Sequence, residues 1–222
     1  MFGKILDEEQ RKALTWDVER GAPNEIVDIP WQTCNCIGGW HYNTGIYERN
    51  GYKSAATVVK QLVDIVSKNG NLLLSIPLRA DGTYDEKEAA VLDGIEAWMS
   101  VNKESIIGTR PWVRFGEGPV AEKDIKLNAQ GFNDGQYSNM TAADIRFNQS
   151  RKYLYVTPLG WPDGGKVTVK SLRKGNPYFK KGITSVELLG YGKLKAVQTT
   201  EGLEVQLPRQ TNDIAPVLKI RK

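Results

Sequence analysis

Residues 54–77 read SAATVVKQLVDIVSKNGNLLLSIP, and this stretch decides the fold. Ser54 is a good helix N-cap, because its hydroxyl can accept from an N–H of the first turn that has no partner within the helix. Ala55, Val58, Val59, Leu62, Ile65 and Val66 then recur at helical spacing. That spacing predicts an amphipathic helix with Lys60, Gln61, Asp64 and Lys68 on its solvated face. Gly70 suits the left-handed position just past a helix end. The run Asn71–Ile76 follows at once. Being continuously apolar rather than alternating, it predicts a strand buried on both faces, as in a parallel sheet covered by helices. Pro77 and an Asp81-Gly82 turn close it. Asp85 then caps a second helix, with Ala89, Leu92, Ile95 and Trp98 or Met99 turned inward. Helix, strand, loop and helix in this order read as the end of an α/β barrel.

Upstream, Thr15-Trp-Asp-Val-Glu reads as a brief strand that Gly21 and Pro23 stop. Glu19 is thereby expected at a strand's C-terminal end, where a (β/α) barrel projects its catalytic side chains. A short helix is expected over Asp7–Leu14. Gly38–Gly51 reads as irregular, with Trp40 and Tyr42 on it. Cys34 and Cys36 stand too close for an easy disulfide and read as two free thiols in a packed loop. The single histidine, His41, completes no zinc pattern. Trp16, Trp31, Trp40 and Tyr42 share this span with Asp17, Glu19 and Glu25. Indole faces stack on sugar rings, and a partly desolvated carboxyl keeps its proton long enough to donate it. On residue types alone, packed tryptophans beside solvated acids are the commoner outcome.

Downstream of Pro111 the pattern becomes short alternating runs: Ala143–Phe147, Lys152–Thr157, Lys166–Lys170, Ser185–Leu189, Leu194–Val197, Leu203–Leu207 and Val217–Ile220. Turn signals separate them, and seven strands with little helix predict an antiparallel β-sandwich. The fold class is thus α/β followed by all-β. Residues 1–106 are expected to form the C-terminal part of a (β/α) TIM-type barrel, and residues 107–222 the sandwich. The net charge of +4 comes from scattered basic residues, and no apolar run reaches membrane-spanning length. Neither nucleic acid nor membrane is expected as a partner. Residues 1–9 lack the features of a signal peptide. Asn139-Met-Thr and Asn148-Gln-Ser fit the glycosylation pattern, which arises often by chance.

Several segments together resemble one family. Leu62-Val-Asp-Ile-Val-Ser-Lys-Asn-Gly-Asn-Leu-Leu-Leu-Ser-Ile-Pro, Arg79-Ala-Asp-Gly-Thr, Trp98-Met-Ser-Val-Asn-Lys-Glu-Ser-Ile-Ile-Gly-Thr-Arg-Pro-Trp and Gly116-Glu-Gly-Pro are similar to the signature of family 29 α-L-fucosidases. Trp31-Gln-Thr-Cys and Trp40-His-Tyr-Asn match the family's upstream pattern. The resemblance is strong from about Trp16 to Pro119; in the sandwich only the layout matches. There are departures. Ser75-Ile76-Pro77 replaces the usual Asn-Ile-Gly-Pro, His41 stands where Gly is usual, and Gln32 replaces a Glu.

The resemblance implies retaining hydrolysis of a fucosylated glycan by two carboxyl groups, with no metal or organic cofactor. Thr15-x-x-x-Glu19-Arg20-Gly21 aligns with the segment bearing the acid/base, so Glu19 is the expected general acid/base and Glu25 the fallback. Trp16 and Trp40 are expected to desolvate Glu19. Trp40 aligns with the aromatic lining the fucose pocket, while Trp31 reads as structural and Asp64 as a solvated helix position. Nothing before Glu19 matches the nucleophile's motif. The nucleophile is therefore expected upstream of this chain, and the missing N-terminal barrel half is expected as an intramolecular partner. The competing expectation is a catalytically silent remnant, or a carbohydrate-binding or structural module. The resemblance favours a periplasmic or secreted bacterial setting. A partial barrel alone is expected to associate, and residues from Ser105 onward to fold independently.

Overall fold

A computed structural model describes residues 7–123, 132–180, 182–208 and 214–222. The first six residues, including most of the stretch lacking leader features, lie outside that description.

Three strands, β1 (Trp16–Glu19), β2 (Trp31–Cys36) and β3 (Gly70–Ser75), form a parallel sheet in the order β1-β2-β3. Spatial order follows chain order, as it does for successive staves of a barrel. The helices are α1 (Glu8–Lys12), α2 (Thr44–Glu48), α3 (Ala55–Ser67) and α4 (Glu86–Asn102). Ser54 Oγ caps α3 by accepting from Thr57 N at 3.1 Å. Asp85 and Glu88 cap α4 reciprocally: Asp85 Oδ1 accepts from Glu88 N at 2.8 Å, and Glu88 Oε2 accepts from Asp85 N at 3.0 Å.

Two local expectations are corrected here. Asn69, with φ 71°, takes the left-handed position, and Gly70 opens β3 instead. Glycine is needed there for room, since a Cβ on residue 70 would stand 2.3 Å from the indole of Trp31. That indole is fully buried and donates to Lys68 O at 3.0 Å, so Trp31 is structural, as expected. Cys34 and Cys36 lie on β2 rather than in a loop. Polar Gln32 and Asn35 and the following Gly38-Gly39 hide that strand in the sequence.

The remaining strands are β4 (Arg110–Glu117), β5 (Ile145–Gln149), β6 (Tyr153–Pro158), β7 (Lys166–Val169), β8 (Val186–Leu188), β9 (Gly192–Leu194), β10 (Ala196–Gln198), β11 (Leu203–Gln206) and β12 (Leu218–Arg221). They make an antiparallel sandwich of a six-stranded sheet, β4-β5-β6-β12-β8-β9, and a three-stranded sheet, β10-β11-β7. The run expected as one strand at Leu194–Val197 divides into β9 and β10, one for each sheet. Pro111 concealed β4. Trp112, Phe147, Val156 and Ile220 meet Val167, Val169, Leu203 and Val205 in the core between the sheets.

A second core explains why the helix face bearing Asp64 is not solvated. Val59 and Val63 of α3 and Trp98 of α4 pack with Tyr137, Met140, Tyr155, Leu159 and Val217. The outer face of the six-stranded sheet is thus covered by the barrel helices, and Gln61, Asp64 and Lys68 are buried with it. Asp64 accepts from Lys68 Nζ at 2.8 Å, from Tyr137 Oη at 3.0 Å, and from Arg146 Nε of β5. The ring of Phe115 stacks beneath both cations, at 4.8 and 5.5 Å. Independent folding of residues from Ser105 onward conflicts with this shared core, because separation would expose the whole covered face. Asn148 is buried and donates to Ser105 O at 3.0 Å, which removes it as a glycosylation acceptor.

Candidate active site

Side chains alternate across β1. Trp16 and Val18 turn toward α3, packing with Trp31 and Ile65, the two indoles 6.4 Å apart. Asp17 and Glu19 therefore take the opposite face. In register with them are Gln32 and Asn71, and Cys34 and Leu73 respectively. Asp17 accepts from Gln32 Nε2 at 3.0 Å and from Cys34 Sγ at 3.8 Å. Burial, and then the carboxylates of Asp17 and Glu19, push the Cys34 thiol above its usual pKa. Glu19 is thus a near neighbour of Cys34 on this face.

Leu73 on the same face is 56% exposed. Among the described residues, α3 covers one face of β3 and the other is open. The expected desolvation of Glu19 by Trp16 is corrected, because strand alternation sends that indole to the helix side. Trp40 follows the C-terminal end of β2 by four residues, on the same rim as Glu19, and is 45% exposed. Beyond it, Arg79 lies over the ring of Tyr42 at 5.7 Å. Glu25 is exposed in the loop between β1 and β2. No cluster of His, Cys, Asp or Glu able to hold a metal occurs among the described residues, and no helix among them is long and apolar enough to cross a membrane.

Arg20 does not pair with Glu19; its guanidinium lies 3.4 Å from Asp134. Asp134 belongs to a segment, Phe132–Asp134, that meets the strand end more than a hundred residues away in sequence. Phe132 N donates to Glu19 O at 2.7 Å, and Asp134 N to Arg20 O at 2.9 Å. Asn133 accepts from Ala22 N at 2.9 Å and donates to Ala22 O at 3.0 Å. Lys53 places its ammonium 3.6 Å from Asp134 and donates to Asn35 Oδ1 at 2.9 Å and to Cys36 O at 2.7 Å. No sequence signal pointed to these residues. Asn133-Asp134-Gly135 reads only as a turn, and long-range pairing through the backbone leaves no periodic trace.

A parallel sheet wound in chain order, with helices on one face and a sandwich packed on those helices, has the layout of the closing portion of a (β/α) barrel with an appended β domain. Comparisons with known proteins give the family. The α-L-fucosidase model matches residues 4–104, and the α-L-fucosidase C-terminal domain model matches residues 137–221. The chain belongs to the α-L-fucosidases of glycoside hydrolase family 29 and corresponds to their C-terminal portion. Plasma α-L-fucosidase of Rattus norvegicus is 28% identical over 195 residues, which are 86% of this chain and 37% of that protein. The Homo sapiens plasma enzyme is 28% identical over 199 residues, 87% of this chain and 37% of its own length. The crystal structure of Thermotoga maritima α-fucosidase in complex with fucose superposes with a TM-score of 0.65 at 25% identity, covering 88% of this chain and 41% of that one. The chain thus spans a little over a third of the length of these curated relatives.

Proposed function

We propose that this chain supplies the acid/base half of a retaining α-L-fucosidase that removes fucose from glycans. One observation carries the reading. Glu19 ends β1 on the open face of the parallel sheet, where a barrel places its catalytic groups. In that role Glu19 protonates the departing glycosidic oxygen and then deprotonates the attacking water. The nucleophile sits on a strand outside these 222 residues, at the ~5–5.5 Å carboxyl separation that retention requires. Trp40 offers an apolar wall to the ring and methyl group of a 6-deoxy sugar. In this reading the chain divides at residues 106/107, within the turn at 106–108 that precedes β4. An exported setting, periplasmic or secreted, fits relatives named as plasma enzymes, and fractionation of source cells tests it.

The reading is tested by assaying the 222-residue chain on an aryl α-L-fucoside, alone and joined to a complete upstream barrel. Silence alone and turnover when joined are expected. Turnover by the chain alone would place a nucleophile within it and overturn the division of the site. Silence in both arms would favour a remnant or binding module.

A further inference from the structure

We propose that Phe132–Asp134, from the sandwich half of the chain, is a clasp that holds Glu19 in position, with Asn133 as the positioning residue; this rests on the acid/base reading of Glu19.

The peptide immediately after Glu19 is held from both sides. Its N–H, from Arg20, donates to Cys34 O of β2 at 3.0 Å, and its C=O accepts from Phe132 N at 2.7 Å on the opposite edge. A peptide plane fixed at both ends sets the direction in which the Glu19 Cα–Cβ bond leaves the strand. The next residues are held as firmly. Arg20 O accepts from Asp134 N, and Asn133 closes a two-way pair with the backbone of Ala22. Gly21 N donates to Thr33 Oγ1 at 3.2 Å.

The approach is also close. A Cβ on Gly21 would stand 2.4 Å from Asn133 Oδ1. Arg20 and Phe132, which face each other across the clasp, are both non-glycine residues in the left-handed region, at φ 51° and 48°. Such backbone persists only where surrounding bonds over-determine it. Here those bonds are the ones just named, together with the Arg20 and Lys53 contacts to Asp134. A (β/α) barrel carries its chemistry at strand ends and the loops that follow them, yet this strand end is fixed from the other half of the chain. Phe132–Asp134 thereby acts on the acid/base through the main chain.

An acid held slightly out of line matters most when the leaving group needs its proton. Asn133→Ala, Asn133→Asp and Gly21→Ala are therefore compared with Glu19→Gln in the protein bearing its complete barrel. Each is assayed on a fucosylated disaccharide and on an aryl fucoside with a good leaving group, with the thermal midpoint recorded for each variant. Asn133→Ala is expected to lose about tenfold in kcat/KM on the disaccharide and markedly less on the aryl substrate. Asn133→Asp, which keeps the acceptor for Ala22 N but sets a carboxylate oxygen against Ala22 O, should lose at least as much as Asn133→Ala and in the same leaving-group pattern. Gly21→Ala should reproduce the pattern by wedging the clasp from its other side. Equal loss on both substrates, or no loss on either, would overturn the clasp while Glu19→Gln still shows the leaving-group pattern. If Glu19→Gln itself lacks that pattern, the acid/base reading falls and the clasp with it.

Discussion

Replacing Asp64 by Asn should be among the most damaging single changes in this chain. Asp64 is fully buried and accepts from two cations, Lys68 at 2.8 Å and Arg146, and from the Tyr137 hydroxyl at 3.0 Å. The amide keeps the shape and removes the anion that both cations pair with. Two buried cations then face each other without compensation, which costs roughly 3–5 kcal/mol, against a total stability of about 5–15 kcal/mol for a domain. Burial alone would raise the Asp64 carboxyl, but Lys68 and Arg146 together hold it below the usual carboxylate range. A folded pKa below the unfolded value gives stability that is present above the unfolded pKa, about 3.9, and lost as pH falls through the folded one. The gap between wild type and variant should therefore be undiminished between pH 7 and 5 and shrink below about pH 4. Urea unfolding at low protein concentration, followed by tryptophan fluorescence, reads both. The combined replacement Asp64→Leu, Lys68→Met, Arg146→Met and Tyr137→Phe should return stability to within about 2 kcal/mol of wild type, because an apolar set of similar volume needs no compensation. A difference under about 1 kcal/mol for Asp64→Asn would refute the reasoning, since it would mean that water reaches the cluster.

Three further outcomes follow from the same geometry. Gly70→Ala forces a methyl against the buried Trp31 indole and should cost about 3 kcal/mol in the same urea experiment, with no backbone strain to blame. Glu19→Gln should lower the Cys34 pKa by removing one of the charges that raise it. Alkylation of Cys34 near neutral pH should then run about threefold faster or more, and an unchanged rate would place the Glu19 carboxylate away from that face. Leu73 lies exposed on the open face of the parallel sheet, so the chain alone should self-associate, and Leu73→Lys should shift light scattering toward the monomer.

The regular elements were legible because local chemistry specifies them. Ser54 and Asp85 announce α3 and α4 as caps, and both caps form. The apolar run after Asn69 announces β3, and the alternating runs announce most of the sandwich. What sequence could not show is which surface meets which. Asp64 and Lys68 look solvated because charged residues on a helix face normally are. They are buried because the six-stranded sheet lies over that face, and the Arg146 and Tyr137 that satisfy Asp64 are more than seventy residues away. Leu73 is the opposite case. An apolar run implies two covered faces, yet only one is covered among the described residues. At the candidate site, Glu19 and Trp40 were reachable through a family motif and through the position of a strand end. The Phe132–Asp134 segment was not, because it acts through main-chain bonds and one asparagine amide.

The most direct measurement of the central claim is the dependence of Glu19→Gln on leaving group, made in the protein with its complete barrel. Loss of a general acid should lower kcat/KM on a fucosylated glycan by about 10²–10⁴-fold, and far less on an aryl α-L-fucoside whose leaving group departs unprotonated. Added azide, which needs no general base, should restore turnover of the activated substrate by attacking the glycosyl intermediate. An equal loss on both substrates with no azide effect, or no loss at all, would contradict the assignment of Glu19 as the acid/base.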